Sequence, residues 1–111
     1  MSQVQEQLAA RVRAILGADV PVREVAMFGG RAIMVDGKVV VGAEKDGALL
    51  VRVDDARHDE LTARPGAEQA RMGGGRAMGP GWLHVAADAI DADDELAFWV
   101  GVAMDHNRAA R

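Results

Sequence analysis

The chain has 111 residues, of which half are hydrophobic and 27% are charged. This length and balance predict one globular domain with a single core, and they exclude a disordered chain. The net charge of −4 argues against a surface that neutralises many phosphates, so direct nucleic-acid binding is not expected. The absence of cysteine excludes disulfides and thiolate metal sites.

The N-terminal segment predicts an amphipathic helix from Ser2 to Leu16. Ser2 is the candidate cap and Gly17 the candidate end. Its polar face is not markedly cationic, so packing onto a sheet is favoured over lying on a membrane surface. The apolar residues recur at helical spacing: Val4, Leu8, Val12, Ile15 and Leu16.

The sequence carries no apolar stretch of signal-peptide type and no run near the roughly 20 apolar residues of a membrane span. We therefore expect a cytoplasmic protein without a membrane partner.

The middle of the chain predicts a β-meander. Asp36-Gly37 and Lys45-Asp46-Gly47 supply the turns, because glycine and aspartate tolerate the positive φ of tight hairpins. Before the meander, Val22 to Met27 form either a strand or an extended lead-in, and Phe28-Gly29-Gly30 predict a bulge or a bend. The three predicted strands are Arg31–Val35, Lys38–Ala43 and Ala48–Val53.

Alternation of apolar and polar residues is incomplete in the second of these strands. Val39, Val40 and Val41 follow one another, whereas a sheet with one wet face should alternate. The pattern predicts that part of the second face is covered. A second subunit is one candidate for that cover, and a homodimer is therefore a prediction.

The remainder of the chain predicts two more helices and two more strands, giving an α+β fold with one antiparallel sheet in the order α-β-β-β-α-β-β-α. A glycine-rich connector, Gly73 to Gly81, separates the last two strands. The elements are a short helix over Ala56–Ala63 capped by Asp54 or Asp55, strands near Ala67–Met72 and Trp82–Ala86, and a helix from Asp91 or Asp93 to Asn107.

Catalytic chemistry finds little support. There is one serine, one threonine, no cysteine and no tyrosine, so we do not expect a nucleophilic side chain that is fixed within hydrogen-bond reach of a general base. The histidines His58, His84 and His106 include no pair at i, i+4 spacing. We expect no enzyme activity, no cofactor and no metal site.

One stretch could hold an anionic ligand or stack a base. Arg71 lies just before the glycine-rich connector and Arg76 lies within it, and Trp82 and His84 begin the next strand. A small anionic ligand or a nucleotide bound near this loop is the alternative to a protein-interaction role.

Several motifs resemble the TfoX/Sxy N-terminal domain family over nearly the whole chain. They are Met27-Phe28-Gly29-Gly30, Val35-Asp36-Gly37-Lys38, Leu49-Leu50-Val51-Arg52-Val53, Gly75-Arg76-Ala77-Met78, Gly81-Trp82-Leu83-His84-Val85 and Leu96-Ala97-Phe98-Trp99-Val100.

The resemblance implies a secretion-chaperone-like α+β fold and a regulatory protein-interaction module without catalytic residues. Better-known members regulate natural competence with other transcription factors and carry a second, C-terminal domain, whereas this sequence ends at Arg111 and is predicted to be a stand-alone domain. The family often has tyrosine near Arg31. We expect Arg31 and Arg52 to contact a protein partner, whose identity the sequence does not name.

Overall fold

The structure is a computed structural model that describes residues 3–27, 30–71 and 75–109. These residues form an α+β domain with one antiparallel sheet, which confirms the predicted fold class. Two 3₁₀ turns, Asp55–Arg57 and Ala87–Ile90, accompany the regular elements. The helices and strands are, in chain order, α1 (Gln3–Leu16), β1 (Arg23–Met27), β2 (Gly30–Val35), β3 (Lys38–Ala43), β4 (Leu49–Arg52), α2 (His58–Thr62), β5 (Ala67–Gln69), β6 (Trp82–Val85) and α3 (Asp93–Ala109).

The sheet has six strands in the order β1-β2-β3-β4-β6-β5, with every neighbouring pair antiparallel. This is one strand more than the predicted order. The segment that sequence left as either strand or extended lead-in pairs along its whole length with β2, from Arg23 opposite Met34 to Met27 opposite Gly30.

Both predicted hairpin turns form for the expected backbone reason. Asp36 and Gly37 have φ values of 55° and 76°, as a tight turn between β2 and β3 requires. Between β3 and β4, Gly47 has a φ of 89° and its N–H donates to the carbonyl of Glu44 at 3.0 Å. The turns therefore fix the register of the meander.

The run of three valines is explained by a β-bulge in β3. Met34 lies opposite Val39 and Ile33 lies opposite Val41, which leaves Val40 as the extra residue. Val40 and Val41 are both fully buried in the core, so alternation breaks because of the bulge. The run itself therefore does not require a covering second layer, and the homodimer stays a prediction.

One face of the sheet forms the core together with the helices. Side chains alternate across a strand, so every second residue of the central strands points to the same side. Leu8 and Val12 of α1, Leu61 of α2, and Leu96 and Trp99 of α3 belong to the same buried cluster as these strand residues. The helix-facing strand residues are Ile33, Val35, Val41, Ala43, Leu49, Val51, Leu83 and Val85.

Two buried polar side chains attach the long helices to the ends of strands. Gln5 of α1 donates to the carbonyl oxygen of Ala43 at 2.8 Å, and Asn107 of α3 donates to that of Val35 at 3.4 Å. Both amides are almost fully buried, so an unpaired amide there would be costly. These bonds fix where each helix lies along the sheet.

A few sequence predictions fall on residues that the structure does not describe. They are the cap at Ser2, the bend at Phe28-Gly29, and the segment 72–74, which includes Met72 of the predicted fourth strand and the start of the glycine-rich connector.

We predict opposite effects from adding one methyl group at two glycines. Gly66 has a φ of 80° and its added Cβ would collide with the Cβ of Ala89, so Gly66→Ala should lower the free energy of unfolding by at least about 1 kcal/mol. Gly101 lies exposed within α3 with open space beside it, so Gly101→Ala should raise that free energy by about 0.5–1 kcal/mol. Urea denaturation measures both, and equal effects would contradict this account.

Candidate functional site

The sheet face that points away from the helices is here called the open face. Its central row crosses the whole sheet through directly paired residues. Among the described residues, the long helices pack on the other side, and the end of α3 reaches the border of the open face at Arg52 and Trp82. The open face comprises Val25, Ala32, Met34, Val39, Gly42, Leu50, Arg52, Glu68, Trp82 and His84.

The middle of the open face is apolar and forms a shallow depression. Ala32 and Leu50 are buried although they lie outside the core cluster, and Gly42 between them has no side chain. Val25 and Met34 stand half-buried beside this floor. The result is a shallow apolar depression bordered by polar groups, which is the arrangement of a contact surface rather than of a deep pocket.

A Glu44–His84 pair borders the depression. Nε2 of His84 lies 3.1 Å from Oε2 of Glu44, and each side chain is about one-third exposed. Nδ1 of His84 is buried without a hydrogen-bond partner among the described residues. Burial raises the pKa of the Glu44 carboxyl above 4.5, His84 opposes that rise, and Asp46 adds to it. The protonation of Glu44 therefore depends on its burial and on these two neighbours.

A cleft of about 280 Å³ opens at the end of the sheet. It lies where β3 begins, β4 ends and β6 begins, beside the last turns of α3. We call it the Arg52 cleft, and it is lined by Lys38, Val39, Arg52, Trp82, His106 and Asn107.

Backbone carbonyls fix the position of Arg52 within the cleft. Its Nη1 donates to the carbonyl oxygens of Val53 and Gly81 at 3.1 and 2.9 Å, and its Cζ lies 5.3 Å from the centre of the Trp82 ring. The guanidinium is thus held beside an aromatic surface. Asp55, which is mostly exposed, lies 3.9 Å from the same nitrogen.

The charges around His106 have mixed signs. Burial lowers the pKa of His106 below 6.5, and among its charged neighbours Arg52 has the largest effect, also downward. Asp54 and Asp55 act upward, and Lys38 acts downward. The ammonium of Lys38 is fixed at the cleft by a 3.0 Å hydrogen bond to the carbonyl of Asn107.

Arg31 and Arg52, which the sequence suggested as one partner surface, lie on opposite faces of the sheet. Arg31 shares the helix side with Ile33, and its Nη1 lies 3.8 Å from Glu24, which also pairs with Arg13 of α1. Arg31 therefore joins an ion-pair group between β1, β2 and α1. Its role in partner contact stays a prediction.

Of the residues proposed for an anionic ligand, the structure places Trp82 and His84 two positions apart on the open face of β6. Arg71 donates to the carbonyl of Gly75 within the connector, and Arg76 is exposed there. The arginine that the structure places over the indole is Arg52.

Sequence reasoning missed Lys38, Glu44 and His106 as site residues. They reach the sheet end and the open face only through strand register and the length of α3, so no local motif marks them. The Asp-Gly turn that starts β3 at Lys38 was the one signal in the sequence that bears on their placement.

A single antiparallel sheet with helices on one side and a bordered apolar face on the other defines a small α+β domain. The model of the TfoX N-terminal domain matches residues 14–107. The chain belongs to the TfoX N-terminal domain family, as its motifs predicted. No curated protein and no solved structure matches the chain, so the secretion-chaperone-like comparison stays a prediction. No helix in the described part of the chain is long and apolar enough to cross a membrane.

We predict a pH-dependent contribution of Glu44 to stability. Because its pKa is raised in the folded state, the folded protein holds that proton to higher pH than the unfolded chain does. Its contribution to the free energy of unfolding should therefore fall as the pH rises from 4.5 through the raised pKa.

Denaturation of the wild type and of Glu44→Gln from about pH 4 to 7 tests this, because the difference in stability should change only across that window. Glu68→Gln is the matched control for removing one carboxylate from the open face. A wild-type minus Glu44→Gln difference that is constant with pH would show that Glu44 is not the titrating group.

Proposed function

We propose that this domain is a non-catalytic protein-interaction module of regulatory type, and that the open face is the surface that contacts its protein partner. Membership of the TfoX N-terminal domain family supports a regulatory, interaction-type role. Competence regulation is one form of that role, implied by the resemblance.

The observation that carries the proposal is the one-sided arrangement of the described helices. The helix-facing side of the sheet is covered by α1 and α3, whereas half-buried Val25, Met34 and Val39 stand on the other side. Interfaces of regulatory proteins commonly combine an apolar centre with a polar rim. Here the rim is supplied by Glu44, His84 and the Arg52 cleft.

The catalytic alternative has less support. In the described chain, no three histidine, cysteine or acidic side chains converge as metal ligands would. Thr62, the one threonine, uses its hydroxyl to donate to backbone carbonyls of α2. On the open face, His84 faces Glu44 at 3.1 Å, whereas the one threonine lies in α2.

A photo-crosslinking amino acid placed at Met34 tests the proposal in cells. We expect a discrete covalent adduct from Met34, because this half-buried side chain stands on the open face beside its apolar floor. The matched control is the same amino acid at Ala97, which is exposed on α3. Mass spectrometry of the adduct distinguishes a different protein from a second copy of this chain.

A partner identified in this way should bind the Met34→Asp variant at least about tenfold more weakly, because a carboxylate would be desolvated within the apolar part of the interface. Thermal unfolding of the variant checks that it is folded. Equal adducts from Met34 and Ala97, or undiminished binding by Met34→Asp, would refute the open face as the contact surface. A dominant adduct of twice the chain mass would instead establish the homodimer.

A further inference from the structure

We propose that the Arg52 cleft, at the border of the open face, binds a small organic anion, a single ring that carries a carboxylate or phosphate group. The ring would lie against Trp82 and Val39, and the anionic group would meet Arg52, Lys38 and His106.

The size of the cleft supports a small ligand. At about 280 Å³ it lies just below the usual range of ligand pockets, about 300–1,000 Å³, and it suits one ring with one substituent. Val39 and Trp82 supply the apolar wall of the cleft, and Lys38, Arg52 and His106 supply the groups that carry or can carry positive charge. Such a division between an apolar wall and few polar groups is typical of small-molecule sites.

The fixed position of Arg52 supports an anion in particular. Both carbonyl hydrogen bonds use Nη1, and among the described residues Nε and Nη2 make no hydrogen bond, so these two donors can serve a carboxylate or phosphate. A guanidinium that the backbone already holds loses little freedom when it binds. Trp82 beside it gives a ring a flat surface to stack on.

Two neighbouring groups make anion binding at the cleft depend on charge and on pH. Asp55 lies 3.9 Å from Arg52 and is largely exposed, so it competes weakly with a bound anion. His106 lines the cleft with Arg52 and Lys38, and Asp54 and Asp55 act on it with the opposite sign. An anion near His106 would favour its protonated form, so binding should strengthen as the pH falls.

The test is NMR titration of the full chain with phenyl phosphate and with benzoate. The chain has two tryptophans. We expect a saturable shift of the Trp82 indole N–H, while Trp99, which is buried in the core, serves as the internal reference. The two probes separate phosphate from carboxylate recognition. Benzyl alcohol, which has the ring without the charge, and inorganic phosphate, which has the charge without the ring, should each bind more weakly.

Each substitution at the cleft should change the affinity for the anion in a defined direction. Asp55→Asn should tighten binding by about two- to fivefold, since it removes an exposed competing charge. Arg52→Lys should weaken it by about tenfold, because the fork of donors is lost. His106→Gln should abolish the tighter binding at lower pH. In the wild type, each unit by which binding raises the pKa of His106 corresponds to a gain of about tenfold in affinity at low pH.

Absence of a saturable Trp82 shift with both probes at about 10 mM would overturn the proposal, since it would place any affinity below the weakest useful range. Binding that neither Asp55→Asn nor Arg52→Lys alters would place the ligand elsewhere and overturn it as well. Because these variants leave Met34 unchanged, either failure is distinguishable from failure of the crosslinking experiment on the open face.

Discussion

The packing of one continuous apolar sheet face against α1 and α3 is the constraint on which this structure depends. A strand shows every second side chain to each side, so the sheet places Ile33, Val51 and Leu83 together beneath the two helices and turns the alternate residues to the open face. The bulge at Val40 adds one more valine to the core and shifts the register of the β2–β3 hairpin by one residue between Ile33 and Met34. The open face is therefore a consequence of how the core is built.

Polar contacts then set where each helix lies on that sheet, and this placement produces the Arg52 cleft. Asn107 bonds to the carbonyl of Val35 and its own carbonyl accepts from Lys38, so the last turns of α3 are fixed beside the start of β3. Shifting α3 by one turn, about 5.4 Å, would remove His106 from the cleft. The core and the candidate ligand site thus share the same few hydrogen bonds.

The two candidate surfaces differ in their physical character. The centre of the open face is shallow and apolar, which suits an extended contact with a macromolecule. The Arg52 cleft is small, partly enclosed and lined by groups that carry or can carry positive charge. Arg52 and Trp82 belong to both, so occupation of the cleft would alter the charge at the border of the open face.

Local sequence determined the elements, the hairpin turns and the family, because each depends on residues close together in the chain. Asp36-Gly37 set a turn by its φ values, and helical spacing predicted the apolar face of α1 on which Leu8 and Val12 are buried. Tertiary structure alone decided that Arg31 and Arg52 lie on opposite faces, that Val40 forms a bulge, and that His106 meets Arg52. The physical reason is that strand register and helix placement join residues far apart in sequence, and no local pattern encodes which of them will meet.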